Sequence, residues 1–319
     1  MNYQEFLDEW RSDSDCIVCH TSGSTGTPAR IELPKEMVRQ SAARTVAFFG
    51  LDRESVLYSC ISPDFIGGKM QAVRAHLCRG ELFYETPSNR PLTEVASKLG
   101  GRAITLLSVV PSQLAFIVEN IAIMPRIEHV LVGGAPLSDT LAKKAVATGL
   151  DVYETYGMTE TASHIALRHS GHEGYFRPLE GISLRTDDGC LCIGIPGWDE
   201  IKTHDIVRMQ PDVGFSIIGR SDNVIISGGC KVHPEEIEKR LKVKFGGDFM
   251  ITSAPDPKWG EKVILIIEPA ASGSVKREAV MDYCRKTFRP FEVPKEIVYR
   301  TIPRTSNGKI LRSTKIFDN

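Results

Sequence analysis

The sequence predicts an α/β fold in which a mainly parallel sheet is followed by a small α+β domain. Three observations support this prediction. Apolar strand-like runs alternate with helical segments through the first half of the chain, which is typical of a parallel sheet joined by crossover helices. Short β-like runs separated by turn signals follow Asp187. Strand and helix patterns alternate again after Arg220.

The first half of the chain supplies the elements of the parallel sheet. Residues 1–15 have the pattern of a short amphipathic helix, and "CIVCH" is apolar enough for a buried strand. Helices are predicted for "KEMVRQSAARTVAFF", which ends at Gly50, for "KMQAVRAHLCR", which ends at Gly80, for a segment that Pro111 opens, and for "SDTLAKKAVAT". The strands predicted between them are "SVLYSCIS", "AITLLSVV", "EHVLV" and "LDVYETYG".

The second half supplies a smaller, mixed unit. After the turn signal "DDG" come the β-like runs "CLCIGI", "DIVRM" and "GFSIIG". Beyond Arg220, strands are predicted for "NVIIS", "KVILIIEPA" and "EIVYRTI", and helices for "HPEEIEKRLKV", with Pro234 in its first turn, and "VKREAVMDYCRKTF". We therefore expect a large domain over residues 1–220 and a small domain over residues 221–319.

Composition narrows the class of protein. A chain of 319 residues is long enough for two domains with a substantial core. Its hydrophobic content of 42%, its charged content of 25% and its formal net charge of -1 are those of an ordinary globular protein and give no reason to expect nucleic acid as a partner. No apolar run reaches the ~20 residues of a membrane span, and the acidic N-terminus is unlike a signal peptide. We expect a cytoplasmic protein.

The stretch "HTSGSTGTPAR" (20–30) has the composition of a phosphate-binding loop. Glycines let the backbone approach an anion, successive N–H groups form an anion-binding nest, and hydroxyls add donors. It is not a Walker A loop, because no Gly-Lys-Ser/Thr follows Gly26. A flexible Ser/Gly linker is the alternative that this stretch alone leaves open.

The pair Cys16 and Cys19 forms a C-x-x-C spacing, which occurs in metal and redox sites. The second closely spaced pair, Cys190 and Cys192, does not repeat that spacing, so the other half of a zinc site is missing. Because the segment is apolar, buried structural cysteines are favoured over a metal or redox role.

Three further motifs follow the glycine-rich stretch: "YETYGMTET" (153–161), "GRSDNVIISGGCKVHPEEIE" (219–238) and "PRTSNGKILR" (303–312). Together and in this order, the four motifs resemble the adenylate-forming superfamily of acyl-CoA synthetases, peptide-synthetase adenylation domains and luciferases. The resemblance implies that a carboxylate attacks the α-phosphorus of ATP to give an acyl-adenylate and pyrophosphate, and that a thiol then displaces AMP. It implies ATP, Mg²⁺, coenzyme A and a small carboxylic acid as ligands, and it leaves a homodimer open.

The resemblance assigns roles around the nucleotide. Thr159 would touch the α-phosphate, Glu160 would be the Mg²⁺ ligand, and Lys309 would bridge the attacking carboxylate and the α-phosphate. The phosphate cradle would be Thr21, Ser22, Gly23, Ser24, Thr25 and Gly26. The other implied nucleotide-binding residues are Gly133, Gly134, Ala135, Pro136, Tyr156 and Gly157 near the adenine, Asp205 at the ribose, and Arg220 at the ribose or a phosphate.

The resemblance also assigns residues to the moving parts and to the acid. Asp222 would be the hinge about which the C-terminal domain turns, and Ser227, Gly228 and Gly229 would line the tunnel for the thiol. The acyl pocket would include Phe65, Gly67 and Gly68, with Lys69 as a cation for a second carboxylate. A solvated position for Lys69 at the start of a helix is the alternative.

Three departures from the family pattern stand out. Ala29 takes the place of the lysine that usually ends the glycine-rich loop, so Arg30 would have to supply the charge. His204 precedes Asp205, where the family usually has glycine. The loop lies only nineteen residues into the chain, so we expect a large domain that is shortened at its N-terminal side.

Among adenylate-forming enzymes, such short chains look most like bacterial o-succinylbenzoate–CoA ligases of menaquinone biosynthesis. The predicted function is therefore an AMP-forming acid–CoA ligase for that aromatic dicarboxylate. The alternatives are another aromatic or fatty acyl-CoA synthetase, an enzyme that loads a carrier-protein thiol, a kinase-like phosphotransferase, and a non-catalytic nucleotide-binding homologue.

Overall fold

The computed structural model describes residues 1–20, 30–93, 95–269, 275–304 and 310–312. The chain forms two compact units. The first comprises Met1–Leu184, Ile193–Ile201 and Gln210–Phe215, and the second comprises Arg185–Cys192, Lys202–Met209 and Ser216–Asn319. Between residues 185 and 215 the chain alternates between the two units. The single boundary predicted after residue 220 stays a prediction.

A seven-stranded sheet forms the centre of the first unit. The helices of this unit are α1 (Tyr3–Arg11), α2 (Lys35–Phe49), α3 (Ile66–Cys78), α4 (Ala96–Leu99), α5 (Pro111–Glu119) and α6 (Asp139–Ala147). Its strands are β1 (Cys16–His20), β2 (Arg30–Pro34), β3 (Val56–Ser59), β4 (Glu81–Tyr84), β5 (Ile104–Val109), β6 (Ile127–Val132), β7 (Asp151–Met158), β8 (Ser163–His169) and β9 (Arg177–Pro178). The sheet has the order β4-β3-β5-β6-β7-β8-β9, and β1 and β2 pair separately.

The predicted parallel α/β sheet is confirmed for five of these strands. β4, β3, β5, β6 and β7 run parallel, whereas β8 and β9 add an antiparallel edge. The chain places β4 on one side of β3 and β5 on the other, so the strand order reverses between β3 and β5. Because ligands of open α/β sheets bind outside the carboxyl ends of the strands, a site is expected among the loops at that edge of the sheet.

The remaining elements belong to two smaller sheets. The first has the order β10-β11-β12-β13 and contributes residues to both units. The second pairs β15-β14-β17-β16, with β18 parallel to β17, and carries two helices. These elements are β10 (Ser183–Asp187), β11 (Cys190–Gly194), β12 (Ile201–Gln210), β13 (Gly214–Arg220), β14 (Ile225–Ser227), β15 (Cys230–Val232), α7 (Pro234–Phe245), β16 (Phe249–Asp256), β17 (Gly260–Ile267), α8 (Arg277–Thr287) and β18 (Glu296–Tyr299). None of the helices in the described ranges is long and apolar enough to cross a membrane.

A buried ion pair holds α1 against α3. The ammonium of Lys69 lies 3.6 Å from Glu9 Oε2 and 4.5 Å from the centre of the Phe6 ring, and Lys69 is 1% exposed. Glu9 Oε1 also accepts a hydrogen bond from the backbone N–H of Val18 in β1. The prediction of a solvated Lys69 is therefore wrong, because α1 covers the start of α3 and supplies its counter-charge.

Removing either partner of this pair should destabilise the protein, and the loss should be larger when Glu9 is replaced than when Lys69 is replaced. Glu9→Gln leaves a fully buried ammonium unpaired and should lower the free energy of unfolding by about 3–5 kcal/mol. Lys69→Met should cost less, because the Glu9 side chain is 22% exposed and its Oε1 keeps the hydrogen bond from Val18 N–H. Urea denaturation measures both variants, with Glu36→Gln as the control, since Glu36 pairs with Arg39 at the surface. Equal, small losses in all three variants would contradict a buried pair.

Because Gly68 has no side chain, the backbone of the loop before α3 can pass very close to the first turn of the helix. A Cβ at Gly68 would lie 2.3 Å from the carbonyl oxygen of Ser62 and 2.8 Å from that of Ile61, whereas one at Gly67 would meet only the Ile61 side chain at 3.6 Å. The space beside Gly68, which was predicted to belong to the acyl pocket, is therefore filled by backbone.

The two glycines should consequently respond differently to the same substitution. Gly68→Ala must displace backbone, and overpacking of this kind costs about 1–3 kcal/mol. Gly67→Ala should be neutral or stabilising by up to about 1 kcal/mol, because alanine is the better helix former. Chemical denaturation of the matched pair tests the packing, and a Gly68→Ala variant as stable as Gly67→Ala would refute it.

Candidate active site

The candidate site of the first unit lies at the carboxyl edge of the parallel sheet. The turn Gly133–Pro136 follows β6, and the one-turn 3₁₀ helix Thr159–Thr161 follows β7. The backbone N–H of Gly133 donates to the carbonyl of Val109, which joins the ends of β6 and β5. The structure therefore brings together the residues predicted from two separate motifs.

The turn after β6 needs both of its glycines. A Cβ at Gly133 would lie 2.6 Å from Thr155 Oγ1 on the neighbouring strand, and Gly134 has a φ of +83°. The far end of the turn is fixed by Glu154, whose carboxylate accepts from the backbone N–H of Leu137 at 3.1 Å and pairs with Arg168. Glu154 was not among the predicted site residues, although an acid inside a buried strand is a signal that it has a partner.

The turn after β7 is defined by a close approach of backbone. A Cβ at Gly157 would lie 2.1 Å from the carbonyl oxygen of Ser163 and 2.5 Å from the Cα of His164, so only glycine fits. Ala162 and Ser163 have φ values of +50° and +91°, an unusual backbone for residues with side chains. Strain of this kind collects at functional sites, where the surroundings over-determine the backbone.

This turn presents Thr159 and Glu160. The hydroxyl of Thr161 braces it from inside, because it accepts from Met158 N–H and donates to the carbonyl of Ser163 at 2.6 Å. Glu160 is exposed, and no described residue bonds to its carboxylate. An exposed carboxylate held on a rigid turn is a suitable ligand for a hard cation such as Mg²⁺. No group of three or more His, Cys, Asp or Glu residues in the described ranges forms a closed metal site.

Tyr156 is buried rather than displayed. Its ring is 7% exposed and packs against Phe176 and Phe215, with centroids 5.7 and 4.9 Å away. Adenine stacking on this ring stays a prediction.

A buried polar chain lies behind the same turn. The hydroxyl of Ser41 donates to the carbonyl of Ala162 at 2.7 Å, and Thr45 lies 3.0 Å from His164 Nε2. On the other side of the imidazole, Arg74 Nη2 is 3.4 Å from Nδ1. Because a guanidinium can only donate, Nδ1 accepts and Nε2 carries the proton. Burial, reinforced by Arg74, lowers the pKa of His164 well below its usual value, which keeps it neutral.

Arg74 is a buried cation without a described carboxylate partner. It is 2% exposed, its Nη1 donates to Gln71 at 3.1 Å, and its Nε has no hydrogen-bond partner in the described part of the chain. Burial lowers the pKa of its guanidinium. Arg74 was not among the predicted site residues, because an arginine in a helix normally reaches the surface.

In the second unit, three predicted residues meet. Arg220 makes a two-pronged pair with Asp222 at 2.9 and 2.7 Å and contacts Asp205 Oδ1 at 3.3 Å. The hydrogen bond from Arg220 lowers the pKa of Asp222. His204, the unusual residue before Asp205, lies 3.3 Å from the hydroxyl of Ser221.

The predicted thiol-tunnel residues form a tight hairpin. Ser227 and Cys230 pair across Gly228 and Gly229, whose φ values of +58° and +76° are those of a two-residue β-turn that requires left-handed backbone. Trp259 supports this hairpin, because its carbonyl accepts from Gly228 N–H at 2.8 Å. The ammonium of Lys295 lies 4.2 Å and that of Lys258 5.4 Å from the indole.

The residues predicted to form the acyl pocket differ in how much free space and free charge they offer. Phe65 is 43% exposed and caps α3. Gly67 has free space, Gly68 faces backbone, and Lys69 is paired with Glu9. Lys69 therefore does not present a free cation to a substrate, since its charge is already matched.

Several predicted residues lie outside the described ones. They are Thr21, Ser22, Gly23, Ser24, Thr25 and Gly26 of the phosphate cradle, with Ala29, and the catalytic candidate Lys309. Arg30, proposed to replace the missing lysine, is exposed and pairs with Glu32 at 2.7 Å.

Cys16 and Cys19 lie on one strand, β1, so their odd spacing places them on opposite faces, where they cannot share an ion. Burial raises the pKa of the Cys19 thiol to about 11, so it is protonated at neutral pH. All eight cysteines are free.

Family models match both parts of the chain. Residues 4–197 match the model of the AMP-binding enzyme, and residues 243–309 match that of the AMP-binding enzyme C-terminal domain.

Curated relatives include a 2-succinylbenzoate–CoA ligase of Listeria monocytogenes and the long-chain-fatty-acid–CoA ligase FadD13 of Mycobacterium tuberculosis. Each is 25% identical; the alignments cover 97% and 96% of this chain and 71% and 68% of the relatives.

Solved structures of this fold include an acyl-CoA synthetase (AMP-forming)/AMP-acid ligase II-like protein from Dyadobacter fermentans. It is 32% identical with a TM-score of 0.63, and the match covers 96% of this chain and 90% of that one. The o-succinylbenzoate coenzyme A synthetase of Bacillus subtilis, solved with ATP and magnesium, has a TM-score of 0.78 at 20% identity and covers 93% of this chain and 69% of that one. The predicted resemblance to adenylate-forming enzymes is confirmed: the chain belongs to the AMP-binding enzyme family.

Proposed function

We propose that this protein is an ATP-dependent acid–CoA ligase whose acid is an aromatic dicarboxylate, o-succinylbenzoate. The observation that carries the reaction type is the rigid turn bearing Thr159 and Glu160 at the carboxyl edge of the sheet, beside the side-chain-free turn Gly133–Gly134. Backbone without side chains lets a nucleotide approach closely, and an exposed carboxylate beside its phosphates suits a magnesium-dependent reaction.

The residues of the first unit fit a magnesium nucleotide. Glu160 would hold Mg²⁺, which supplies neutralisation of phosphate charge when bound, and the Thr159 hydroxyl would donate to an α-phosphate oxygen. The acid's carboxylate oxygen would attack the α-phosphorus, and pyrophosphate would leave with the electron pair of the broken P–O bond. Lys309 would stabilise the charge that grows at the α-phosphate.

The second unit suits a thiol substrate that carries phosphates. The indole of Trp259 lies beside the Gly228–Gly229 hairpin, and two lysine ammonium groups flank it. Coenzyme A offers an adenine to stack and phosphates to pair with cations. In the second step, its thiolate sulfur would attack the acyl carbon and AMP would leave.

Lys295→Ala should selectively weaken the binding of coenzyme A. Losing one cation at a phosphate costs about 1.4 kcal/mol, so KM for coenzyme A should rise about ten-fold. The rate of pyrophosphate release should stay within two-fold. Steady-state kinetics of each half-reaction tests this, with Lys286→Ala as the control, because Lys286 pairs with Asp282 on the surface of α8. An unchanged KM would remove the lysine from the thiol site.

The choice of acid rests on Arg74 rather than on Lys69. Arg74 lies on α3, the helix that starts at the predicted acyl segment, and its buried Nε lacks a partner in the described residues. A buried, unpaired cation favours a substrate with a second carboxylate, since an alkyl chain or benzoate would leave the charge unmatched. The relatives' names include both a dicarboxylate ligase and a fatty-acid ligase, so the discrimination has to be measured.

A pyrophosphate-release screen tests the function as a whole. With coenzyme A present, o-succinylbenzoate should exceed benzoate and medium-chain fatty acids in kcat/KM, and omission of coenzyme A should stop the reaction at the adenylate. A higher kcat/KM for a fatty acid or for benzoate would overturn the proposed acid, whereas the proposed acid–CoA ligase reaction would still hold. Release of ADP instead of pyrophosphate would indicate a kinase-like phosphotransferase.

Substitution of Arg74 should alter acid preference. Arg74→Gln should lower the ratio of kcat/KM for o-succinylbenzoate to that for benzoate on the order of 10², because a paired carboxylate loses its partner. Arg74→Lys should retain part of the preference, since it keeps the charge without the planar fork. Lys69→Met is the control and should leave the ratio unchanged. If the Arg74→Gln enzyme folds and keeps the original ratio, Arg74 does not select the acid.

A further inference from the structure

Glu235 lies between the predicted hinge and the segment that follows Lys309. It is in the first turn of α7, and its Oε1 accepts from Asn223 Nδ2 at 2.5 Å and lies 3.7 Å from Arg312 Nε. Its other carboxylate oxygen, Oε2, is buried and has no hydrogen-bond partner among the described residues. One side chain thus contacts two segments that are far apart in sequence.

The carboxylate contacts the hinge segment from both sides of Asp222. Asn223 follows Asp222 directly, while Gly219 precedes it, and a Cβ at Gly219 would lie 2.4 Å from Glu235 Oε2. The glycine of "GRSDN" is therefore required by the approach of this carboxylate. A change of backbone angles at Asp222 must move Asn223 relative to Gly219 and so alter at least one of these contacts.

Arg312 is anchored much more firmly than its contact with Glu235 suggests. Both terminal nitrogens of its guanidinium donate to Glu238, each at 2.7 Å, and one also donates to the carbonyl of Ile251 at 2.9 Å. Glu238 in turn accepts from Ile251 N–H at 2.6 Å. Because this pair is mostly buried, with side-chain exposures of 16% and 12%, it should persist when the longer contact to Glu235 changes.

The anchor fixes the end of the segment that carries Lys309. Leu311 N–H donates to the carbonyl of Pro303 at 2.9 Å, and Ile310 pairs with Arg304 as an isolated antiparallel bridge. Arg304 is itself held by Asp248 and Glu268 at 2.9 and 2.7 Å. The described residues on both sides of 305–309 are therefore tied to the same sheet.

We propose that Glu235 is a positioning residue that couples the backbone at Asp222 to Arg312, three residues after Lys309 in the sequence, and so couples rotation at the hinge to the half-reaction assigned to Lys309. During rotation at Asp222, the contact between Glu235 and the hinge segment changes, whereas the Arg312–Glu238 pair persists. This inference rests on the proposed function, because it takes Lys309 to act in adenylate formation.

Two variants separate this role from simple support of α7. Glu235→Ala removes the whole carboxylate, whereas Asn223→Ala removes only the donor on the hinge side and leaves α7 intact. Each should lower the rate of pyrophosphate release about ten-fold and change thioester formation from a supplied acyl-adenylate less than two-fold. The double variant should show little further loss, since both changes break one contact. Glu236→Gln is the control, because Glu236 shares the first turn of α7 but pairs with Arg208.

Amide hydrogen exchange gives a readout that does not depend on activity. Exchange of the backbone amides at 220–223 should be faster in Glu235→Ala and Asn223→Ala than in the native chain and in Glu236→Gln. Equal loss in both half-reactions with unchanged exchange at the hinge would overturn the proposal. If the native chain releases no pyrophosphate, or Lys309→Ala spares that step, the proposed function fails, and exchange at 220–223 then decides only whether Glu235 holds the hinge backbone.

Discussion

The candidate site depends on the absence of a side chain at Gly157. Strand β8 turns back so closely over this residue that the carbonyl of Ser163 occupies the space of a Cβ. The chain can then reverse within the turn Thr159–Thr161, and the reversal presents Glu160 at the carboxyl edge of the sheet. The unusual backbone of Ala162 and Ser163 belongs to the same reversal.

Buried charges recur wherever a loop or a helix must be held in one place. Glu9 and Lys69 hold α1, Glu154 and Arg168 hold the turn after β6, and Glu238 and Arg312 hold residues 310–312 of the second unit. Such pairs contribute little net stability compared with apolar packing, but losing one partner is costly, so they favour one arrangement over its alternatives. Arg74 differs because the described residues give it no carboxylate.

Much of the fold could be predicted because periodicity and turn residues are local signals. Helix α2 ends at Gly50 in a left-handed conformation, and Pro111 begins α5, both as expected. Strands β8 and β16 are among the strands that were not predicted, and α3 begins earlier than predicted, at Ile66. These elements are defined by pairing with distant strands or by loop packing, which the local pattern does not record.

The sequence by itself determined the α/β fold, the order of the motifs and the family, because those depend on residue type and spacing. Only the tertiary structure decided which charged side chains are available. Lys69 and Arg74 lie five positions apart on one helix, and nothing in their local sequence separates a paired cation from an unpaired one. Helix α1 brings Glu9 to Lys69, while Arg74 meets only uncharged groups in the described chain. Partners from distant segments settle this, since the charge of a buried group is governed by what folding places beside it.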